Sequence, residues 1–420
     1  MAEAGTLEGK SLSDEALQAE PYDYYRLVRE QDPVHFDPAL NMYLVSRYED
    51  LQTVLRDAVT YSQELGWGRQ FAHGYFEEFK AILERDGGGF FPDPILTDPP
   101  KHTRIRKLLE NAFTAHRMKA LEPNVRRIVI NLIERFAGRG EADGMMDIAV
   151  PMTVLFQCEQ LGLEHGDWKT IKRWSDAYSS QIGRMQDREQ TLECAREVCE
   201  LQNYVIARVR ERQANPGEDM ISDLVRARLD DDEHPELTFA ETVALTRALL
   251  IGGIDTVSTA LSNLLYTIAT QPDVARELHE NIDDDRYLGR FIEESLRIEP
   301  PVRGLSRVTT KDVELGGKNI PEGAHLLILF ASGNDDESVF GHPRAFDADR
   351  PNLMRHLTFG AGTHLCVGMA LARMEIRVAI RELVKRLENI QLAVPASEVG
   401  YTTNVAMVSR ESLPLKFSRR

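Results

Sequence analysis

The sequence predicts a mainly α-helical α+β fold with a small β region, on three observations. Residues 102–275 carry an almost unbroken helical pattern. Short β-prone runs gather outside that stretch, at 43–46 and 307–329. A Gly-rich loop at 359–368 leads into one more amphipathic helix. Length and composition agree: 420 residues, 42% apolar and 28% charged, describe an ordinary globular chain with a well-buried core. The length alone would also fit two or three average domains; we expect one domain over 1–420. Its β-containing subregion would lie near 30–65, 305–330 and 390–420, and its helical subregion near 100–300 and 367–388.

In chain order, the apolar run 43–46 reads as a strand and 48–57 as a helix. From 66 to 100 the pattern turns irregular, with Gly87-Gly88-Gly89, Phe90-Phe91 and two Pro-rich turns, which predicts a mobile loop with a short helix. Thr238 followed by Glu241 is a capping box that opens an apolar helix reaching about Thr270. A helix over 285–299 is stopped by Pro300-Pro301. Strands follow at 307–309, 313–315 and 325–329, with Gly316-Gly317 as a turn, and the last thirty or so residues read as strands and turns. The sequence contains no internal repeat or low-complexity segment.

Charge narrows the function. Fifty basic against 67 acidic side chains give a net −17, which disfavours nucleic acid or anionic lipid as the main partner. The first twenty residues are polar and acidic and suit neither a signal peptide nor a membrane anchor, and no later stretch is expected to span a bilayer. The cytoplasm is the expected compartment. Four cysteines (Cys158, Cys194, Cys199, Cys366) are too few for a disulfide framework, and the first three sit in helical surroundings as small buried fillers.

Cys366 differs, because it stands among glycines just before a helix. Backbone N–H groups in a Gly-rich turn and the positive helix end are expected to lower its thiol pKa. Such a sulfur could be a nucleophile, a zinc ligand or a haem ligand. No CxxC or HxxxH partner completes a zinc site, and a Cys–His catalytic pair would need a distant His and an acid. Mid-way along the apolar helix lies Gly252-Gly253-Ile254-Asp255-Thr256, where each glycine costs about 1 kcal/mol relative to alanine. Two adjacent glycines let a flat object approach the backbone, and a threonine hydroxyl can bond back to a carbonyl.

Phe359-x-x-Gly362-x-His364-x-Cys366-x-Gly368 resembles the haem-binding signature of the cytochrome P450 family at each fixed position. Gly252-Gly253-Ile254-Asp255-Thr256 resembles that family's acid–alcohol motif. Glu294-Ser295-Leu296-Arg297 resembles its Glu-x-x-Arg element, with Arg350 completing it from Phe346-Asp347-Ala348-Asp349-Arg350. The likeness spans about 22–417. It departs mildly at Gly252, where alanine is more usual, and at Gly333-Asn334-Asp335-Asp336.

The resemblance implies a P450 fold with haem b between the long distal helix and the cysteine loop, and Cys366 as the axial thiolate that favours O–O cleavage. Phe359 would shield the sulfur. Asp255 and Thr256 would deliver protons during oxygen activation. Glu294, Arg297 and Arg350 would form a buried network supporting the loop. His102, Arg106, Arg307 and His364 would hold the haem propionates, with Gly368 closing the signature. Substrate-pocket candidates are Trp67, Phe90, Leu249, Gly252, Val302, Leu305 and Met407.

The implied activity is a monooxygenase that inserts one atom of O₂ into a C–H bond of a small apolar molecule of terpenoid, steroid, fatty-acid or aromatic type. Rearrangement, coupling or dehydration is the alternative, and a non-catalytic haem sensor a remote one. The chain shows neither a dinucleotide fingerprint nor an iron–sulfur pattern, so NAD(P)H electrons would arrive through a 2Fe–2S ferredoxin and its reductase. Arg104, Lys107, Arg373 and Arg377 are candidates for the docking patch. A monomer is expected.

Overall fold

The computed structural model describes residues 6–70, 75–110, 115–164, 168–182, 186–229, 233–402 and 404–420, the backbone alone at 67–70 and 115–119. Helices dominate from Lys101 to Ile298, and among the described residues all strands but the short Glu141–Asp143 lie before or after that stretch.

The longest helix, Phe239–Thr270, has 32 residues. Its start follows from the capping box: Thr238 Oγ1 accepts from the Glu241 N–H at 3.1 Å, and the Glu241 carboxylate accepts from the Thr238 N–H at 2.9 Å. This helix is long and apolar enough to cross a membrane, which corrects the expectation that no stretch would be, and 72% of its most apolar window is buried inside the protein. Its hydrophobicity serves a core that surrounds it on most sides.

Four short strands and a two-residue edge build the main sheet, in the order 34–37, 42–45, 325–328, 305–309, 61–62. Strand 42–45 pairs with 325–328 in parallel, and the other pairings are antiparallel. Alternating residues of these strands (Val34, Val45, Leu326, Ile328) bury one face against Leu51, Phe340 and Leu357, a core separate from the helical one. A three-stranded sheet joins 141–143, 414–419 and 387–392, and Gly316 and Gly317, both at positive φ, turn the small hairpin 313–320.

Between 66 and 100 the chain is more ordered than the irregular pattern suggested. Helices Gln63–Gln70 and Phe76–Asp86 occupy much of it, because Phe79 and Leu83 share one face and bury it against the helix Arg188–Ala214. Polar links continue along that contact: Arg188 pairs with Glu78, and Asn203 donates to the Asp86 carbonyl at 2.8 Å. The strands at 34–37 and 141–143, absent from the sequence reading, are only three or four residues long.

Candidate active site

Cys366 lies between the 3₁₀ turn Gly362–His364 and the helix Met369–Arg386. The loop reverses through Gly360 and Gly362, at φ 70° and 67°, a region that non-glycine residues enter only under strain. A Cβ on Gly362 would also stand 2.3 Å from the Leu55 carbonyl oxygen. The Cys366 N–H donates to the Phe359 carbonyl at 2.9 Å, and the backbone N–H groups of Gly368 and Met369 act on the sulfur.

Cys366 retains accessible surface, yet burial is the strongest influence on its thiol. That combination describes a group facing an internal gap. Desolvation raises the thiol pKa and outweighs the lowering by the two N–H groups, Arg106 and Arg373. The expected net lowering therefore does not hold in the protein alone, because thiolate charge at this depth needs a positive partner.

The long helix presents a second accessible surface. Ala248, Gly252 and Thr256, four residues apart, are not buried, and Gly252 is exposed, whereas Leu250, Ile251, Ile254 and Val257 are buried. A Cβ on Gly252 would meet nothing within 4 Å, so this face is open. The two glycines are not equivalent, since the Gln157 side chain occupies the space a Cβ on Gly253 would need. Thr256 Oγ1 donates to the Gly252 carbonyl at 2.6 Å. Leu249 from this helix and Val367 from the cysteine loop pack on one small cluster of Ile105, Leu109, Leu224 and Leu245, which ties the two surfaces together.

Asp255 is turned toward the helix Trp168–Ser179. Its Oδ2 accepts from Ser175 at 3.0 Å and Ser179 at 2.5 Å, and its Oδ1 is 3.5 Å from Lys172 Nζ. It lines a cavity of about 360 Å³ together with Met145, Met407 and Glu411. Asp176, Ser180, Thr402, Asn404 and Glu411 are shared with a larger outer groove of about 880 Å³.

Cationic and hydrogen-bonding groups gather near the cysteine loop, with Asp98 and Glu110 as the carboxylates that act on them. The rings of His102 and His364 stand 4.3 Å apart. Both His364 nitrogens and the Nδ1 of His102 are buried, and among the described residues only the Ile95 backbone acts on His364 as a hydrogen-bonding group. Burial first, then Arg307 and His102, push the His364 pKa down to about 3; burial also lowers His102, with Arg106 adding to it. Arg307 is buried and pushed down to about 10 by desolvation, with Asp98 opposing. Its Nη1 donates to the carbonyl of its neighbour Ser306 at 2.7 Å. Such a cluster suits an anionic group brought in from outside, as the two propionates of a haem would be. Arg106 is already engaged, with Glu110 at 2.9 Å and the Leu365 carbonyl at 2.5 Å.

Two buried ion networks brace the loop. In the first, Arg297 grips Glu294 through two bonds of 2.8 Å, both side chains fully buried, and donates to the carbonyls of Asn334 and Pro343. Arg350 reaches the same carboxylate at 3.2 Å, so the three expected partners meet. The second was not foreseen. Glu293 accepts from Arg373 at 2.6 and 2.7 Å and meets His356 at 2.8 Å, while the Arg373 guanidinium lies 4.8 Å from the Phe359 ring centre. Its only sequence signal was a second carboxylate beside Glu294.

Three of the four proposed docking cations are engaged inside the chain: Arg104 with Glu241, Arg373 with Glu293 and Arg377 with Glu122. Lys107 is exposed. Among the pocket candidates, Val302 and Met407 meet in an antiparallel bridge, and Leu305 begins strand 305–309. Phe90 packs edge-on to Phe76 at 5.7 Å. The Trp67 side chain lies outside the described residues.

Comparison with known proteins places these features in a family. Residues 90–395 match the model described as Cytochrome P450. The chain is 32% identical over 379 residues to "Cytochrome P450 130" of Mycobacterium tuberculosis, covering 89% of each. It is 32% identical over 402 residues to "Cyclomarin C epoxidase CymV" of Salinispora arenicola, covering 94% of this chain and 95% of that one. Among solved structures, "cytochrome P450 CREJ in complex with (4-ethylphenyl) dihydrogen phosphate" superposes with a TM-score of 0.86 at 28% identity, over 96% of this chain and 98% of that one.

Proposed function

The chain belongs to the cytochrome P450 family, and from that premise we propose that it inserts one oxygen atom of O₂ into a C–H bond of a small apolar organic molecule of terpenoid, steroid, fatty-acid or aromatic type. It is a monooxygenase whose cofactor is haem b, with O₂ as co-substrate and NAD(P)H electrons reaching it through redox partners. Our reading takes a 2Fe–2S ferredoxin and its reductase as the donors and a cytoplasmic, single-domain monomer as the working form.

The observation that carries this reading is the pair of accessible surfaces, Cys366 on the loop and the Gly252 face on the long helix, joined through the cluster that Leu249 and Val367 share, with buried His364, His102 and Arg307 near the loop. Bound haem supplies the iron at which oxygen is activated, with thiolate push favouring O–O cleavage. Cys366 would hold the iron, and the Gly368 and Met369 N–H groups would moderate the charge on its sulfur. His102, His364 and Arg307 would hold the propionates, with Arg106 joining them if it left Glu110. Gly252, without a side chain, would leave room on the helix face. Thr256 holds a proton on Oγ1 at that face, and Asp255 takes up protons from the solvent cavity behind it and passes them forward. Glu294, Arg297 and Arg350 keep the loop in place. Phe90, Leu249, Val302, Leu305 and Met407 are the residues that would form an apolar wall around the substrate.

The test is the absorbance of the dithionite-reduced protein under CO. A band near ~450 nm that disappears in Cys366→His supports thiolate ligation, and haem bound with a band at the imidazole-type position in the unaltered protein refutes it. Product formed one-to-one with NADH consumed, in a system reconstituted with a 2Fe–2S ferredoxin, separates oxygen insertion from rearrangement or dehydration.

A further inference from the structure

Arg247 is the only basic residue in the long apolar helix. It precedes Gly252 by five positions, about 7.5 Å along the axis, and it is 3% exposed. Its guanidinium joins four segments that are far apart in sequence. Nη2 donates to Asp93 Oδ1 at 2.9 Å and to the Phe91 carbonyl at 2.7 Å; Nη1 donates to Gln202 Oε1 at 2.5 Å. The amide of Gln202, itself fully buried, donates to the carbonyls of Gly87 and Gly89 at 2.6 Å each. Tyr178, from the helix Trp168–Ser179, donates to Asp93 Oδ2, and its ring lies 5.1 Å from the guanidinium.

The segment 87–93 has no regular structure to hold it. Gly88 and Gly89 are at φ 78° and 135°, and Phe91 fills the space beside Gly89. Its backbone carbonyls are instead satisfied by Gln202 and Arg247, and its carboxylate is paired away from water. A buried pair of this kind adds little net stability, because desolvation offsets attraction, but it fixes one geometry: a shifted loop strands a buried charge. Ile95, just beyond, packs with Leu249 on the cluster that also contacts Val367. Moving 87–96 therefore moves the wall next to the open face of the long helix.

We propose that Arg247, with Asp93, Tyr178 and Gln202, is a latch that fixes the segment 87–96, and with it Ile95 beside Leu249 and Val367, next to the open face of the long helix, and so sets which ligand sizes the chamber between that face and Cys366 accepts. The inference rests on the P450 reading of that chamber. Arg247 and Asp93 are positioning residues; both are too buried to touch a substrate themselves.

The test uses the full-length ferric holoprotein, two haem-binding probes and hydrogen exchange. Imidazole needs only the iron, whereas 4-phenylimidazole also needs the wall. The double variant Arg247→Met with Asp93→Leu removes both charges together, which spares the fold. It is expected to weaken 4-phenylimidazole by about tenfold, the scale of one lost buried hydrogen bond, and imidazole by less than about twofold. An unchanged ratio of the two affinities in this folded variant overturns the latch. Hydrogen exchange on the unaltered protein needs no variant: 87–93 and the end of the helix Trp168–Ser179 should open as one unit, slowed together by 4-phenylimidazole. Independent opening of the two segments also overturns it. Absence of the CO band would refute the P450 reading alone, since exchange in the protein as purified still reports on the latch.

Discussion

The two sides of the haem cleft are held by buried ion networks of different construction. On the cysteine side, Glu294 and Arg297 are three apart on one helix, and Arg350 joins them from a segment that precedes the loop by a few residues. On the distal side, Arg247, Asp93, Tyr178 and Gln202 come from four separate segments. The Glu294 cluster combines one pair within a helix with a distant arginine on the same carboxylate. The Arg247 cluster is a long-range tie around a loop whose own backbone has little regular structure. A pair within one helix is set by its turn, whereas a pair between distant segments fixes how those segments meet.

Removing the shared carboxylate should break the first side most severely. Glu294→Ala leaves Arg297 and Arg350 as uncompensated buried charges, a loss of about 3–5 kcal/mol, and the expected outcome is little haem-loaded protein, read as Soret absorbance per polypeptide. The neighbouring Glu293→Gln should cost less, about 1–3 kcal/mol, because Arg373 is partly exposed and can rehydrate. Here pH sharpens the comparison. Glu293 is held below its ordinary value of 4.5 by His356 and Arg373 against the opposing effect of burial. Its contribution is therefore present above about pH 4.5 and lost as pH falls through the depressed folded-state value. Denaturant midpoints of wild type and Glu293→Gln should converge in acid.

Glu375 gives the opposite sign. Both its carboxylate oxygens are buried without a hydrogen-bonding partner among the described residues, and burial raises its pKa well above 4.5. The folded state retains a proton that the unfolded chain loses, so stability falls as pH rises from about 4.5. Glu375→Gln should be the more stable protein at neutral pH, and its advantage over wild type should shrink toward pH 4.5; an advantage independent of pH would refute this assignment.

The smallest expected effect separates the two glycines of the distal helix. Gly252→Ala meets no described protein atom and should stabilise the haem-free protein by about 0.5–1 kcal/mol through helix propensity alone. Gly253→Ala must displace the buried Gln157 and should destabilise it. Thermal melts of the two variants check both signs.

Much of the cysteine side was legible in sequence. The loop glycines, Cys366, and the charges of Glu294, Arg297 and Arg350 sit in short ordered strings, and the capping box marked the start of the long helix. The Glu293–His356–Arg373 network was not legible, since its three members are 17 to 80 positions apart and each alone resembles a surface charge. For the same reason the carboxylates that Arg104, Arg373 and Arg377 meet inside the chain could not be named from sequence. Arg247 did leave a trace, as a lone cation in an apolar helix. Its partner could not be named, because Asp93 stands in a stretch without periodicity.

The sequence by itself determined the family, the helix carrying Gly252 to Thr256, and the candidate iron ligand, because each depends on residues a few positions apart whose spacing is imposed by one turn or one loop. Only the tertiary structure decided that Gly252 is open while Gly253 is covered, that Asp255 turns toward Lys172, and that a buried arginine ties down the distal loop. Those outcomes depend on which distant side chains desolvate one another, and that pairing leaves no period in the chain.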